Sequence, residues 1–157
     1  MSDLTIIMMT PNLVPKKWAK FHKQKLLEAM ERMKEELPEK ELALIKAILL
    51  FGSTARGTAT EKSDIDIYIV PDEKTSFNSD TVKKIMKIIE EGMPDEEIQY
   101  GLRPIVSSEG RPAKFLRRKN PRHPEEEPIH EFLYSKNPEI KVEIDDTLKK
   151  VQQGYDK

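Results

Sequence analysis

Residues Leu49 to Val70 read LLFGSTARGTATEKSDIDIYIV, and this stretch decides the fold. A buried apolar run ends at Gly52 and Ser53, which are typical of a tight turn. A second apolar run then follows, and Asp64 and Asp66 interrupt it two residues apart. The order predicts a buried strand, a turn of small residues and a second strand that carries carboxylates.

The turn after the first strand has the chemistry of an anion site. Gly52 has no Cβ, so backbone amides there can approach a ligand closely. Ser53 and Thr54 add hydroxyl donors that suit phosphate oxygens. A short helix opened by Thr54 to Arg56 would direct its free amides at the same anion, and the Arg56 guanidinium is a permanently charged, forked donor.

The two aspartates of the second strand predict a metal site. Side chains alternate along a strand, so Asp64 and Asp66 share one face of the sheet. Two carboxylates held this close repel each other unless a cation lies between them. Oxygen ligands of this kind suit Mg²⁺, with Mn²⁺ as a substitute, and Mg²⁺ is commonly bound by one or two carboxylates together with substrate phosphates.

The segment closely resembles the signature of the nucleotidyltransferase superfamily that contains DNA polymerase β, and in particular the minimal nucleotidyltransferases. The matching positions are Gly52, Ser53, Ala55, Arg56, Gly57, Ser63, Asp64, Ile65 and Asp66. The resemblance implies an α/β (α+β) nucleotidyltransferase fold, a small mixed β-sheet flanked by helices. It also implies transfer of a nucleoside monophosphate from a nucleoside triphosphate, with ATP as the expected donor, to an acceptor hydroxyl as pyrophosphate leaves.

The resemblance assigns roles to six residues. These are Asp64 and Asp66 as catalytic residues and metal ligands, and Gly52, Ser53, Arg56 and Ser63 as ligands of the nucleotide phosphates. In this scheme the glycine–serine turn holds the β- and γ-phosphates, and the arginine neutralises charge on the leaving pyrophosphate. The second serine orients the loop or contacts phosphate.

The family normally adds a third carboxylate from a later strand. The best later strand, Ile98 to Val106, offers Gln99 or Arg103 instead, and Glu143 further on is better interpreted as a solvent-facing residue. No third ligand is therefore assigned. A carboxylate close to Asp64 and Asp66 would favour an enzyme. Arg103 or Gln99 in that place would favour a catalytically weak or inactive module that binds a nucleotide or a partner on the same fold.

The sequence does not specify the acceptor. The resemblance admits a small molecule, an RNA end or a protein side chain. The protein case includes minimal nucleotidyltransferases that act as antitoxins by modifying a small helical toxin protein.

Composition limits the class of protein. A length of 157 residues predicts one domain over 1–157, and 27 basic against 28 acidic residues provide no field for non-specific nucleic-acid binding. The absence of cysteine excludes a disulfide framework and favours a reducing cytoplasm. The apolar run near the N-terminus is too short for a membrane span, so no membrane partner is expected.

Periodicity predicts the remaining elements. Apolar stripes predict helices over Pro15 to Leu37 and over about Asp80 to Glu91, the second joining two strands in a βαβ-like crossover. Ile129 to Lys136 reads as a short helix and Thr147 to Gln153 as a final helix ended by Gly154. The intervening segment, Ile140 to Asp145, is compatible with a strand or a helix.

Residues 107–128 are rich in proline and charge, which predicts a long loop. Basic residues between Arg111 and Arg122 precede the acidic run Glu125 to Glu127. One interpretation is a basic flap that closes over the triphosphate or steers an acceptor. The other is a solvated loop whose opposite charges neutralise each other.

Overall fold

The computed structural model describes residues 15–59, 64–72, 79–92, 102–106, 116–117, 122, 125 and 128–156. They form a four-stranded mixed sheet with helices on both faces, which confirms the predicted fold class. The elements in chain order are α1 (Pro15–Glu36), α2 (Glu39–Leu42), β1 (Ile45–Phe51), α3 (Gly52–Arg56), β2 (Ile65–Pro71), α4 (Ser79–Gly92), β3 (Leu102–Val106), β4 (His130–Ser135) and α5 (Pro138–Asp156).

The strand order is β3-β2-β1-β4. Strand β1 pairs antiparallel with both β2 and β4, whereas β2 and β3 are parallel. A parallel pair needs a crossover connection, and α4 lies in that connection. The predicted strand–helix–strand unit is therefore confirmed. Because β1 lies between β2 and β4, the turn at its end is held at the middle of the sheet.

Helices α1 and α4 cover one face of the sheet, which we call the helical face. Apolar residues recur along both helices at intervals of three or four and are buried against the strands. The buried cluster comprises Leu26, Ala29, Met30, Met33, Leu37, Ile45, Ile48, Leu50, Ala55, Ile65, Ile67, Ile69, Ile85, Ile88, Ile89 and Leu133. His22 on α1 is also fully buried.

Helix α5 covers part of the opposite face, which we call the site face. Ile140, Ile144 and Leu148 lie four residues apart on this helix, so they form one stripe. The stripe packs on alternate residues of the strands, among them Leu49 and Tyr68. The strands β1 and β2 contribute side chains to both clusters, because successive residues of a strand point to opposite faces of the sheet.

The prediction of a helix over Ile129 to Lys136 was wrong, because the segment forms strand β4. Phe132 joins the site-face cluster and Leu133 the helical-face cluster, so the segment has the alternation of a strand. Its antiparallel pairing with β1 satisfies backbone groups along the second edge of β1. An apolar run this short does not by itself distinguish the period of a helix from the period of a strand.

The C-terminal region forms one helix rather than several elements. Helix α5 includes both the ambiguous segment from Ile140 to Asp145 and the predicted helix from Thr147, and it continues past Gly154. Asn137 caps its start, since its Oδ1 accepts a hydrogen bond from the Ile140 backbone N–H at 3.1 Å. Pro138 suits the first turn because it lacks an N–H that would need a partner.

Residues 1–14, and most of the predicted loop 107–128, lie outside the described residues. None of the described helices is both long and apolar enough to cross a bilayer. The assignment of residues 1–157 to one domain stays a prediction.

Candidate functional site

The turn between β1 and α3 is fixed by a close approach of backbone to carboxylate. Gly52 has φ +75°, a left-handed conformation that favours glycine. A Cβ added at Gly52 would overlap Asp66 Oδ2 and lie 3.2 Å from Asp66 Cγ. Glycine is therefore required for two reasons, backbone conformation and space. The predicted phosphate turn and one predicted metal ligand are consequently in direct contact.

Helix α3 begins at Gly52, two residues before the predicted start. Gly57 ends it with φ +85°, and the backbone N–H of Thr58 donates to the Ser53 carbonyl at 2.9 Å. Ser53 and Arg56 are half-buried. Thr54 is fully buried, so its hydroxyl is not presented to a phosphate as the sequence suggested.

The two aspartates lie at the entrance to β2. Asp64 is exposed just before the strand, and Asp66 is half-buried within it, paired with Phe51 of β1. Asp66 shares a face with Tyr68, because side chains two residues apart in a strand point to the same side of the sheet. Two carboxylates this close in sequence, beside a turn free of side-chain bulk, fit one Mg²⁺ that also binds triphosphate oxygens.

The neighbouring strand does not supply a third carboxylate. In the parallel pairing of β2 with β3, Asp66 is in register with Arg103, and β3 contains no acidic residue. Within the described ranges, no group of three or more His, Cys, Asp or Glu residues could hold a metal ion. Glu143 is exposed on α5 and forms an ion pair with Lys46 at 2.8 Å, so it is the solvent-facing residue that the sequence indicated. Gln99 lies outside the described residues.

Of the six predicted site residues, five are described. Gly52, Ser53 and Arg56 belong to α3, and Asp66 contacts the start of that helix. Asp64 lies two residues from Asp66, whereas Ser63 lies outside the described residues. Their roles as phosphate and metal ligands stay predictions.

Lys23 of α1 supports the turn, a role that the sequence did not predict. Its Nζ forms an ion pair with Glu131 of β4 at 2.6 Å and donates to the Ala55 carbonyl of α3 at 3.4 Å. A cation near the C-terminal carbonyls of a helix is favourable, because the helix dipole is negative there. Lys23 thus links α3 to a long helix and to the sheet. Nothing in the local sequence signals this contact, since 108 residues separate Lys23 from Glu131.

Part of the predicted basic loop is anchored to the sheet. Leu116 is buried in the site-face cluster, and Arg117 donates to the Pro128 carbonyl and to His130 Nδ1. His130 Nε2 in turn donates to Asp145 Oδ1 of α5 at 2.9 Å. Arg117, one of the basic residues of this loop, is thus held by side-chain hydrogen bonds, and the two interpretations of the loop stay predictions. The other basic residues of the flap hypothesis, apart from exposed Arg122, lie outside the described residues.

The hydrogen bonds of His130 require its neutral form, because Nδ1 accepts and Nε2 donates. Burial lowers the pKa of His130, the bond to Asp145 raises it, and the Arg117 charge lowers it further. Burial also lowers the pKa of the Arg117 guanidinium, against the attraction of Asp145. The three side chains satisfy one another, so they form a structural anchor rather than a ligand site.

A separate apolar groove of about 650 Å³ lies between α1 and β4. Met30 and Leu133 in its lining belong to the helical-face cluster. The sheet therefore separates this groove from Asp66.

Comparisons with known proteins agree with the geometry. The sequence profile of the nucleotidyltransferase domain family matches residues 30–126, which include the turn, both aspartates and β3. A protein of Methanocaldococcus jannaschii named "putative protein adenylyltransferase" is 43% identical over 58 residues, which is 37% of this chain and 58% of that protein. The chain therefore covers little more than half the length of this relative. No solved structure gives a significant match.

Proposed function

The chain belongs to the nucleotidyltransferase domain family, and on that premise we propose that it transfers a nucleoside monophosphate from a triphosphate to a protein hydroxyl. ATP is the proposed donor and Mg²⁺ the proposed metal ion.

One observation carries the proposal, the contact between the turn and the carboxylate. A phosphate held at the amides of Gly52 and Ser53 would lie beside Asp66, because a single methyl group would not fit between Gly52 and that carboxylate. Transfer requires the triphosphate and the metal ligands to be adjacent. The main contribution of such a site is to position the reactants and to stabilise charge.

The proposed reaction is an in-line displacement at the α-phosphorus. The acceptor oxygen forms a bond to the α-phosphorus as the bond to the bridging oxygen of pyrophosphate breaks, and the hydroxyl proton passes to solvent. When bound, Mg²⁺ would withdraw charge from the phosphate oxygens. Asp64 and Asp66 would hold that ion, and Arg56 would stabilise the negative charge of the leaving pyrophosphate.

The choice of a protein acceptor rests on the relative from Methanocaldococcus jannaschii, which is named as a putative protein adenylyltransferase. The sequence resemblance to minimal nucleotidyltransferases points to the same acceptor class, including a small helical toxin. Small molecules and RNA ends are the other acceptors that the resemblance admits.

A second candidate function is nucleotide or partner binding without transfer. The observation that favours it is Arg103 at the register position beside Asp66, where a third carboxylate would serve as general base or metal ligand. The two candidates share the nucleotide site and differ in whether the α-phosphorus is attacked.

The test uses ATP labelled on the α-phosphate, Mg²⁺ and the extract of the source cells. Parallel reactions contain wild type, Asp64→Asn/Asp66→Asn, and Lys87→Gln as a matched surface control on α4. Transfer predicts label in protein bands with wild type and Lys87→Gln and none with the double variant. Label in nucleic acid or small metabolites would overturn the protein acceptor. Nucleotide binding without any transferred label would support the second candidate.

The hypothesis that the acceptor is a toxin requires a separate experiment. Purified small helical toxins are added singly to the same reaction, and the labelled residue is located by mass spectrometry. Labelling of extract proteins with no toxin modified would exclude those toxins and leave transfer to proteins intact.

A further inference from the structure

Helix α1 has a second face, turned away from the core, which we call the outer face. Lys20, Gln24, Leu27 and Glu31 follow one another at intervals of four, three and four residues, and all four are exposed. Leu27 lies near the centre of this face with 52% of its surface exposed. The outer face also lines the groove between α1 and β4, so an exposed apolar side chain lies beside an apolar cavity.

The outer face is electrically ordered along the helix. The residues by which α1 surrounds the floor of the groove are Lys20, Lys23, Gln24, Leu27, Glu28 and Glu31. The first two are basic, the middle two are uncharged and the last two are acidic. Reversing the direction of the helix therefore brings each basic position opposite an acidic one.

This order makes the outer face complementary to a second copy of itself. A two-fold axis that passes between Gln24 and Leu27, perpendicular to α1, would make the two helices antiparallel. It would place Lys20 opposite Glu31 of the partner subunit, and Leu27 beside Gln24 of the partner subunit. A parallel arrangement would instead bring like charges together. Alternate spacings of three and four residues suit two helices packed with their axes about 8–10 Å apart.

The ion pairs within the chain leave this contact possible. Glu31 pairs with Lys34 of the same helix at 3.2 Å, but 71% of its side chain is exposed. Such exposed pairs contribute little to stability, so the carboxylate can also bind a cation of a second copy. Lys23 is already held by Glu131 at 2.6 Å. The charge complementarity is therefore assigned to the outer pair, Lys20 and Glu31.

We propose that α1 binds a second copy of this chain at the groove, as an antiparallel two-fold pair of helices centred on Gln24 and Leu27. The apolar surface of Leu27 and of the groove floor, Met30 and Leu133, is then removed from water. One helix and one groove form a small interface, so we expect a dimer that assembles at micromolar concentrations or above. The interface lies on the helical face, so the proposal is independent of the proposed transfer.

Sedimentation velocity over a range from micromolar to millimolar protein tests the proposal with the full chain. The variants are Leu27→Glu, Lys20→Glu, Glu31→Lys and the double variant Lys20→Glu/Glu31→Lys. Val142→Glu is the matched control, because Val142 is an exposed apolar residue of α5, outside the groove. Each variant is checked for an unchanged circular dichroism spectrum.

The proposal predicts a dimer of wild type that forms as the concentration rises. Leu27→Glu should raise the dissociation constant about tenfold or more, because it places a carboxylate of each copy against apolar surface. Lys20→Glu and Glu31→Lys should each weaken the dimer about tenfold by opposing like charges. The double variant exchanges the two charges and should regain the wild-type constant, and Val142→Glu should leave it unchanged.

Chemical crosslinking tests the orientation of the helices. The chain contains no cysteine, so Lys20→Cys and Glu31→Cys each introduce a single reactive thiol. In the antiparallel pair the two copies of either position lie about 16 Å apart along the helices, whereas position 20 faces position 31. A bis-maleimide shorter than that should crosslink a mixture of the two variants and neither variant alone.

A wild-type chain that stays monomeric throughout the concentration range would overturn the proposal and leave the groove to a different partner or to another segment of the chain. A dimer that is unaffected by Leu27→Glu would place the interface elsewhere. Failure of the charge exchange to restore a dimer that both single variants weaken, or crosslinking of either cysteine variant with itself, would overturn the antiparallel arrangement.

Discussion

The two faces of the sheet contrast in how they use the same strands. On the helical face, the residues that β1 and β2 contribute to the buried cluster are all apolar, and they pack together with apolar residues of α1 and α4. On the site face the apolar cluster covers Leu49 and Tyr68, and the row at the end of β1 carries Asp66 and His130 instead. The first face supplies most of the apolar burial, and the second combines a smaller cluster with charged groups.

The contrast indicates how the fold supports a charged site. Burying apolar surface on one side stabilises the strands, so the other side can keep carboxylates close together. Alternation along each strand allows both functions without changing the backbone. Stability and ligand binding should therefore respond to different substitutions.

The largest loss of stability is expected from Leu50→Ala on the helical face. Leu50 is fully buried, and such truncations cost about 2–5 kcal/mol because they remove contacts and leave a cavity. Urea denaturation measures the change, with exposed Val142→Ala as the control, which should shift stability by less than about 0.5 kcal/mol. A loss below that control would contradict the assigned role of the helical face.

The pair Gly52→Ala and Gly57→Ala separates backbone strain from contact with Asp66. Both glycines have positive φ, so each substitution should cost about 1–3 kcal/mol in strain. Only Gly52 has Asp66 against it, whereas no described atom lies within 4 Å of a Cβ at Gly57. Gly52→Ala should therefore be the less stable of the two and lose nucleotide binding, as measured by denaturation and calorimetry. Equal nucleotide affinity in the two variants would argue against a phosphate site at Gly52.

Lys23→Met tests support of the site from the helical face. The variant removes a partly exposed ion pair and a bond to the Ala55 carbonyl, so stability should fall by about 1 kcal/mol. A looser α3 should raise KM for the nucleotide more than it lowers kcat. Lys34→Met, which breaks an exposed pair with Glu31, serves as the control and should alter neither constant. Equal effects of the two variants would remove Lys23 from the site.

The smallest effect is expected from the protonation of His130. Burial lowers the pKa of this residue below its ordinary 6.5, so the folded state favours the neutral ring. Its contribution to stability is complete above about pH 6.5 and is lost as the pH falls through the folded pKa, because the unfolded chain then binds the extra proton. The groups that face the ring are Arg117, Asp145 and Phe132.

Thermal unfolding between pH 7.5 and 5 checks this dependence, and titration of the ring by NMR gives the pKa directly. Buried His22 acts in the same direction, so part of the slope should persist in His130→Asn. An unchanged slope in that variant, or a ring pKa above 6.5, would refute the anchor as described.

These regions differ in how much of their structure the sequence predicted. The strands that flank the turn and the helices α1 and α4 were predicted within a few residues, because long apolar stripes have an unambiguous period. Strand β4 was missed, since the six residues from His130 to Ser135 fit either period until β1 pairs with them. The stripe of Ile140, Ile144 and Leu148 was present in the sequence, but the alternation around Glu143 obscured it.

The candidate site shows the same division. Gly52, Ser53, Arg56, Asp64 and Asp66 were found because they lie within one short segment and carry the family's pattern. Lys23, His130 and Asp145 were not found, because their partners are distant in sequence and each type is common on protein surfaces. Thr54 was misassigned, since its hydroxyl is buried by packing that local sequence does not reveal.

The sequence by itself determined the family, the order of strand, turn and strand, and the pair of carboxylates on one face, because these depend on local chemistry and alternation. Tertiary structure alone decided that Asp66 lies against Gly52, that Arg103 is its neighbour on β3, and that Lys23 and His130 secure the surrounding elements. These facts depend on strand register and on packing between residues distant in the chain, which no local pattern encodes.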